Sequence, residues 1–197
     1  MSPNLEIREV CGPELAPFID GLGRLRIEVF REYPYLYDGS LEYEREYLKS
    51  YLNSARSLVA LVLDNGAVVG ATTCVPLVDE GPEFQEPFLK AGFDLGGICY
   101  FGESLLLPAY RGRGLGKEFF RRREAHAQSL GAKITTFCAV DRAHDHPLRP
   151  ADYQPLDRLW KSQGFMKHPE LQATFVWKET GEAEESAKTL TFWLKYH

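Results

Sequence analysis

The residues best suited to chemistry form a short glycine-rich run, Arg-Gly-Arg-Gly-Leu-Gly-Lys, at positions 111–117. An apolar, strand-like segment precedes this run and a long amphipathic segment follows it. Glycines allow the backbone to approach an anion closely, and the start of a helix offers free N–H groups and the positive end of a dipole. Arg111, Arg113 and Lys117 add cationic donors. The run therefore predicts a phosphate-binding corner between a strand and a helix.

The spacing of the glycines separates several kinds of phosphate-binding loop. A Walker A loop needs four residues between its glycine and the Gly-Lys pair, whereas three lie between Gly112 and Gly116, and Glu118 stands where the magnesium-binding hydroxyl belongs. A dinucleotide fingerprint needs a third glycine at the position of Lys117. The spacing therefore argues against both loops. Nucleotide hydrolysis remains an alternative that magnesium-dependent ATP binding would reveal.

The run resembles motif A of the GNAT-type N-acetyltransferases, Q/R-x-x-G-x-G/A, from Arg111 to Gly116. The segment 159–165, Leu-Trp-Lys-Ser-Gln-Gly-Phe, is similar to a second motif of that family, L-Y-x-x-x-G-F. The order of the predicted elements fits as well, so the resemblance covers nearly the whole chain. It implies the GNAT acyl-CoA N-acyltransferase fold, an α/β (α+β) domain. Its central sheet would be mixed, mostly antiparallel, of about seven strands and flanked by helices.

The resemblance also implies a cosubstrate, acetyl-CoA, and no metal. Main-chain groups of Leu105, Leu106 and Leu107 would pair with the pantetheine arm as a missing strand would. The N–H groups at the start of the helix would hold the pyrophosphate. This second set comprises Arg111, Gly112, Arg113, Gly114, Leu115, Gly116 and Lys117.

Glu103 is the candidate base that would accept the ammonium proton of the acceptor. In regular alternation along the predicted strand 97–107 it shares a face with Phe101, Leu105 and Leu107. A carboxylate among apolar neighbours holds its proton more tightly, which suits a base that works near neutral pH. The alternative is a glutamate that faces solvent or pairs with an arginine, since a bulge could reverse the face.

The proton donor for the departing thiolate is less clearly marked. The family often uses the tyrosine of L-Y-x-x-x-G-F, but this chain has Trp160 there, whose indole is not an acid at neutral pH. Tyr153, seven residues earlier, is the candidate substitute. A structural role for Tyr153, with water as the donor, is the alternative.

Cys138 suggests a covalent acetyl-enzyme, although a buried structural cysteine is the more usual role of such a residue.

Four aromatic residues, Phe30, Tyr33, Tyr35 and Tyr37, crowd the turn after the first long helix. We expect them to bind the acceptor, because aromatic faces suit an aromatic or cationic group; core packing or a homodimer contact would suit them equally. Segment 78–96 is long for a connection, and we expect an insertion that folds over the site as a lid. The loop 141–153 would complete the acceptor pocket.

Apolar periodicity and turn residues give the order of the remaining elements. Asn65-Gly66 between two β-rich runs predicts a hairpin, Ser40 a helix N-cap, and Gly164 a helix end. The predicted strands are 5–10, 57–63, 67–75, 97–107, 133–140, 171–178 and 188–196. The predicted helices are 13–32, 41–52, 86–91, 114–130 and 155–163.

Two expectations concern the N-terminal helices in particular. Gly21 and Gly23 weaken the middle of the first helix, so we expect a bend or break there. Glu42, Glu44 and Glu46 alternate along the second helix and predict a solvated acidic face.

Composition limits the classes of function. The chain has 197 residues and a formal net charge of −5, which fits one domain over 1–197 and argues against nucleic-acid binding. No apolar run reaches the ~18 residues of a membrane span, and charges interrupt the N-terminus where a signal peptide needs an apolar centre. We therefore expect a cytoplasmic protein without membrane partners. Its four cysteines are widely spaced, which argues against a disulfide or zinc site.

These observations lead to one leading hypothesis. The chain would transfer an acetyl group from acetyl-CoA to a primary amine of a small-molecule or peptide acceptor, by direct attack in a ternary complex. The alternative is a non-catalytic acyl-CoA-binding sensor on the same fold.

Overall fold

The computed structural model describes residues 5–197, so the first four residues of the N-terminal segment considered above lie outside it. The strands are β1 (Leu5–Val10), β2 (Leu58–Asp64), β3 (Ala67–Pro76), β4 (Ile98–Leu106), β5 (Ile134–Val140), β6 (Met166–Trp177) and β7 (Ser186–Tyr196). The α-helices are α1 (Ile19–Phe30), α2 (Leu41–Tyr47), α3 (Lys49–Asn53), α4 (Pro82–Lys90), α5 (Leu115–Ser129) and α6 (Asp157–Ser162). No helix within these described residues is long and apolar enough to cross a membrane.

The seven strands form one sheet in the order β1-β2-β3-β4-β5-β7-β6. β4 and β5 run parallel, and the other neighbours run antiparallel. Helices cover both faces, which is why β2 is buried almost throughout its length. The predicted fold class, an α/β domain with a mostly antiparallel sheet of about seven strands, is confirmed.

The hairpin between β2 and β3 turns at the two residues that the sequence marked. Asn65 and Gly66 both have positive φ, at 50° and 84°, as a type I′ turn requires. The turn joins the antiparallel strands β2 and β3, and the predicted hairpin is therefore confirmed.

A gap opens in the middle of the sheet between β4 and β5. The two strands pair only from Ile98 to Tyr100 and from Ile134 to Thr136. Beyond those residues β4 continues along β3, and β5 continues along β7. The facing edges, 101–106 and 137–140, therefore leave a cleft within the sheet.

A β-bulge interrupts β4 at the edge of this cleft. Thr72 pairs with Ser104 and Cys74 with Phe101, so that Gly102 and Glu103 together face Thr73. The bulge changes which face of the sheet each side chain occupies.

The expected face of Glu103 is therefore partly wrong. Leu105 packs with the α1 residues Leu22 and Leu25, whereas Phe101 packs with Phe120 of α5 on the opposite face. Glu103 lies on the α1 side with Leu105 and not with Phe101, because the extra residue in the bulge shifts the alternation.

The first helical segment breaks earlier than expected. Residues Gly12–Phe18 form a 3-10 helix, and α1 begins only after Pro17, whose missing N–H prevents a continuous α-helix. Gly21 and Gly23 lie within α1, so the expected break at these glycines is wrong. A Cβ on Gly23 would come within 2.9 Å of Leu41 Cδ1, and the glycine thus allows α2 to pack closely.

The second helical segment is capped as predicted but is otherwise different. Ser40 Oγ accepts the Tyr43 N–H at 3.2 Å. The segment divides at Leu48 into α2 and α3. Glu44 is fully buried, so the prediction of a solvated face fails for this residue, although Glu42 and Glu46 are exposed. The reason is an ion pair with a residue of α1, described below.

The segment 78–96 contains α4, which begins at Pro82, earlier than expected. Phe84 and Phe88 are buried in the core, where they pack on residues of β4, β6 and β7. The segment therefore packs on the sheet through aromatic side chains that supply core volume, and Phe84 also lines one of the spaces described below.

The C-terminal strands are longer than predicted. β6 begins at Met166, whereas the sequence pattern predicted a strand over 171–178. β6 is an edge strand with a register shift between His168 and Gln172, and an edge strand at a bulge tolerates a proline. Gly164 ends the preceding helix with a φ of 87°, as predicted.

Candidate active site

The glycine corner 111–117 has the backbone geometry of an anion-binding loop. Gly112 and Gly114 adopt φ of 73° and 81°, which side chains with a Cβ rarely adopt. A Cβ at either position would meet no atom within 4 Å, so the backbone conformation and not crowding requires glycine there. Both residues are exposed, and Gly114 is the N-cap of α5.

Five consecutive N–H groups, those of 112–116, have no hydrogen-bond acceptor among the described residues. The next two, of Lys117 and Glu118, donate to the Gly114 carbonyl at 3.1 and 3.3 Å. The free donors stand at the positive end of the α5 dipole. This combination fits a phosphate group and supports the sequence prediction for these residues.

The cations beside the corner already have surface contacts. Arg111 Nε donates to the Leu106 carbonyl at 3.0 Å, and its Nη1 lies 2.9 Å from Glu32 Oε2. Arg113 Nη2 donates to the Ala109 carbonyl at 2.9 Å. These contacts are exposed and therefore cost little to exchange for a ligand.

The gap between β4 and β5 forms a cleft of 480 Å³ that begins beside the glycine corner; we call it the interstrand cleft. Gly116, Phe119 and Phe120 of α5 form one end of it. Leu105 and Leu106 line the cleft as expected. Leu107 does not: its N–H donates to Val69 and its carbonyl accepts from Tyr110, so its main chain continues the sheet and the turn.

A second, smaller space of 100 Å³ lies on the α1 side of the sheet; we call it the aromatic cavity. Nine of its fourteen lining residues are aromatic. These nine are Phe30, Tyr35, Tyr37, Tyr43, Tyr47, Phe84, Tyr100, Phe175 and Trp177. Three of the four predicted acceptor residues are among them. Phe30 and Tyr35 line the interstrand cleft as well, and Tyr33 lines only that cleft of the two spaces.

The two spaces meet at the bulge in β4. Five residues line both of them: Gly102, Glu103, Cys138, Phe30 and Tyr35. Tyr51 explains why residue 102 is glycine, because a Cβ there would lie 2.0 Å from the Tyr51 hydroxyl. The bulge thus places the Glu103 carboxylate at the junction.

Glu103 is held by a buried network of charges. The Arg26 guanidinium donates to Glu44 through Nε and to Glu103 through Nη1. Thr73 Oγ1 donates to the other oxygen of Glu103 and accepts its N–H at 3.0 Å. The three charged residues are 6%, 0% and 3% exposed, in the order Arg26, Glu44 and Glu103. The Arg26 Cζ also lies 3.9 Å from the centre of the Tyr47 ring.

This network corrects the predicted surroundings of Glu103. We expected apolar neighbours, but the alternative of an arginine pair is what the fold provides. With both glutamates ionised, Arg26 compensates one negative charge of two, so the triad has a formal charge of −1.

The comparisons with known proteins agree with this geometry. A family model, Acetyltransferase (GNAT) family, matches residues 24–165. The chain belongs to the GNAT acetyltransferase family. A comparison with curated protein sequences finds no match.

Solved structures share the fold of this GNAT acetyltransferase at low sequence identity. A ribosomal-protein-alanine N-acetyltransferase from Brucella melitensis is 16% identical with a TM-score of 0.60, over 98% of this chain and 99% of that one. PaiA N-acetyltransferase from Thermoplasma acidophilum, in complex with coenzyme A, is 11% identical with a TM-score of 0.53, over 98% and 99%. Arabidopsis thaliana NAA60, in complex with a bisubstrate analogue, is 13% identical with a TM-score of 0.58, over 98% and 99%.

This GNAT acetyltransferase uses the residue at the position of the family's tyrosine for packing. Trp160 lies edge-on to Phe137 and to Trp193, with 5.0 Å between ring centres in each case. It closes one wall of the interstrand cleft. An indole in that position packs against its neighbours, but it cannot donate a proton to a departing thiolate at neutral pH.

Two tyrosines from distant loops meet in the same cleft. The Tyr153 ring lies edge-on to Tyr33, with 4.7 Å between ring centres, and the guanidinium carbon of Arg149 lies 5.0 Å from the Tyr153 ring. Burial raises the pKa of Tyr153. The Tyr33 hydroxyl is buried and has no hydrogen-bond partner in the part of the chain that the structure describes. Tyr33, expected with the acceptor, thus lies beside Tyr153.

Cys138 does not have the character of a nucleophile. Its Sγ lies 3.3 Å from the Tyr100 hydroxyl, and burial raises its pKa to about 12. The thiol is therefore protonated at neutral pH, which argues against a covalent acetyl-enzyme.

Within residues 5–197 no three His, Cys, Asp or Glu side chains are placed to hold a metal ion.

Sequence reasoning missed Arg26, Glu44 and Thr73 as members of the site. One signal was available for Arg26, which lies within the apolar stripe of α1, four residues after Leu22 and three before Val29. A charged residue in such a stripe needs a buried partner. Its partners could not be named, because they lie on other elements.

Proposed function

We propose that this GNAT acetyltransferase transfers the acetyl group of acetyl-CoA to a primary amine of a small-molecule or peptide acceptor. The observation that carries the proposal is the junction of the interstrand cleft and the aromatic cavity at Gly102, Glu103 and Cys138. Donor and acceptor entering from the two sides would meet there without a covalent enzyme intermediate. Direct attack in a ternary complex follows from that arrangement.

The residues around the cleft fit the donor. Bound acetyl-CoA supplies an activated acetyl thioester. The free N–H groups of 112–116, with Arg111, Arg113 and Lys117, would hold the pyrophosphate. Main-chain groups of Leu105 and Leu106 would hold the pantetheine arm along the edge of β4. Since the relative from Thermoplasma acidophilum was solved with coenzyme A, a ligand of this class is compatible with the fold.

Glu103 would accept the proton of the acceptor ammonium. One of its oxygens accepts from Arg26 and the other from Thr73, and each carboxylate oxygen has two lone pairs. A water molecule could therefore hydrogen-bond to Glu103 and pass the proton to it while the network remains intact. Tyr153 would protonate the departing thiolate. It lines the same cleft as Trp160, the residue at the position of the family's tyrosine, and is the tyrosine nearest to Trp160 along the chain.

A second function, acyl-CoA sensing without catalysis, is favoured by two observations. Both oxygens of Glu103 are engaged in a buried network, and no tyrosine stands at position 160. A sensor would bind the donor tightly and leave it intact.

One assay separates the two functions. Purified protein is mixed with acetyl-CoA and a panel of amines, the release of free thiol is followed, and acetyl-CoA affinity is measured by calorimetry. Amine-dependent thiol release supports acetyl transfer. Tight acetyl-CoA binding without thiol release for any amine would support the sensor instead.

A further inference from the structure

We infer that the acceptor is a hydrophobic amine with no carboxylate next to its amino group, and that its ammonium binds in the aromatic cavity. This inference rests on the proposed acetyl transfer and specifies the class of its substrate. Three properties of the cavity carry it: its walls, its charge and its size.

The walls are faces and edges of aromatic rings. Such rings attract cations through their quadrupole, most strongly when the cation is shielded from water. Two of these rings already make cation–π contacts with a side chain of the protein itself. The guanidinium carbon of Arg26 lies 3.9 Å from the centre of the Tyr47 ring and 5.1 Å from that of the Phe30 ring. The rings of Tyr35, Phe175 and Trp177 line the remaining wall.

The charge of the cavity favours a cation. The triad of Arg26, Glu44 and Glu103 has a formal charge of −1. The tyrosines leave this charge unchanged, since burial raises the pKa of both Tyr35 and Tyr47 and keeps these phenols neutral. An ammonium beside Glu103 would complete the charge balance.

An acceptor carboxylate would find no free cation in the described part of the molecule near this space. Arg26 already donates to two carboxylates. Arg142 and Lys188, beyond the Tyr35 and Trp177 wall, both pair with Glu179, at 2.5 and 3.4 Å. Lys188 also pairs with Glu182 at 3.2 Å, so that two carboxylates balance these two cations. A carboxylate entering the cavity would lose its hydration and face Glu103, a like charge.

The size and the opening define the rest of the acceptor. A space of 100 Å³ takes an amino group and a short stem but no folded peptide segment. Tyr43, 49% exposed, stands between this space and solvent. The remainder of the acceptor would leave past Tyr43.

The substrate test compares amines that differ only by a carboxylate. Purified protein is given acetyl-CoA with 2-phenylethylamine or phenylalanine, and with tryptamine or tryptophan, and kcat/KM is measured from thiol release. We expect kcat/KM at least tenfold higher for each amine than for its amino acid. Equal or reversed preference would overturn the inference and leave acetyl transfer intact.

A binding test does not depend on turnover. Phenyltrimethylammonium, which has no N–H to acetylate, is titrated against the protein by calorimetry, with phenylacetate as the anionic counterpart. We expect the cation to bind and phenylacetate not to bind. If no amine releases thiol but this preference holds, the proposed transfer fails while the cation site stands; preference for phenylacetate would overturn the cation site.

Variants locate the binding in the cavity. Trp177→Leu should weaken phenyltrimethylammonium binding at least fivefold, and Tyr196→Leu, an exposed aromatic outside the cavity, should leave it unchanged. Phe175→Leu serves as a second cavity variant if Trp177→Leu does not fold, as judged by circular dichroism. Unchanged binding in a folded cavity variant would contradict the assignment.

Discussion

Arg26 on α1 binds Glu103 on β4, a residue 77 positions later in the chain, at the point where the two candidate substrate spaces meet. The contact joins the N-terminal helices to the bulged strand, and Glu44 of α2 binds the same guanidinium. One ion-pair network therefore supports both the packing of the helices and the position of the candidate base.

Removing the cation of this network should destabilise the fold. Arg26→Met leaves two buried carboxylates without a cationic partner, and loss of one member of a buried pair costs about 3–5 kcal/mol. Denaturant unfolding should show a loss of free energy of unfolding of this order. Arg45→Met, which removes an exposed pair with Asp20, is the control and should leave the midpoint unchanged. Equal effects of the two variants would contradict the prediction.

A negative side chain at the glycine corner should abolish donor binding. Gly114→Glu places a carboxylate beside the free N–H groups, so calorimetry should show no acetyl-CoA binding, while circular dichroism shows a folded protein. Gly181→Glu is a matched control, because Gly181 has a similar φ of 93° and open space around it, in the turn between β6 and β7. Unchanged affinity of Gly114→Glu for acetyl-CoA would contradict the assignment of the glycine corner as the donor-binding site.

Replacement of the candidate base should affect turnover and not donor affinity. Glu103→Gln keeps the shape but loses the proton-accepting oxygen, and general-base catalysis contributes about 10²–10⁴-fold. We expect kcat to fall by at least about 100-fold at pH 7 with acetyl-CoA affinity within a factor of two. Glu86→Gln, the same change at an exposed glutamate of α4 outside both spaces, is the control. Full activity of Glu103→Gln would exclude Glu103 as the base.

The two tyrosines of the interstrand cleft can be separated as proton donors. Tyr153→Phe should lower kcat by about tenfold to 100-fold, because water replaces a positioned acid. Tyr33→Phe keeps the ring that packs on Tyr153 and should have a smaller effect. Steady-state thiol release measures both. A larger loss in Tyr33→Phe would transfer the role to Tyr33, whose hydroxyl is buried and unpartnered among the described residues.

Glu80 should make the stability depend on pH. Burial raises its pKa to about 7 from the ordinary value of 4.5. Because the folded state holds the proton more tightly, Glu80 contributes stability below pH 4.5 that is lost as the pH rises through 7, by about 3 kcal/mol at most. Glu80→Gln should reduce the difference in unfolding free energy between pH 5 and pH 8, whereas the exposed Glu83→Gln should preserve it. An unchanged difference in Glu80→Gln would show that its carboxyl titrates normally.

Local features were predictable because local rules determine them. The hairpin at Asn65-Gly66, the Ser40 cap and the corner at Gly112 and Gly114 each depend on positive φ or on a hydrogen bond within a few residues. The fold class followed from the resemblance to the GNAT family, and the spacing of the glycines argued against a Walker A loop and a dinucleotide fingerprint.

The sequence by itself thus determined the glycine corner between β4 and α5, most strands and the family. Only the tertiary structure decided the face of Glu103, the burial of Glu44 and the division of the aromatic turn, in which Tyr33 lines the interstrand cleft, Tyr37 the aromatic cavity and Tyr35 both spaces. A bulge forms in response to the strand that it pairs with, and a glutamate is buried only if a partner from another element offsets its desolvation. Both depend on contacts between residues far apart in the chain, which periodicity within one element does not contain.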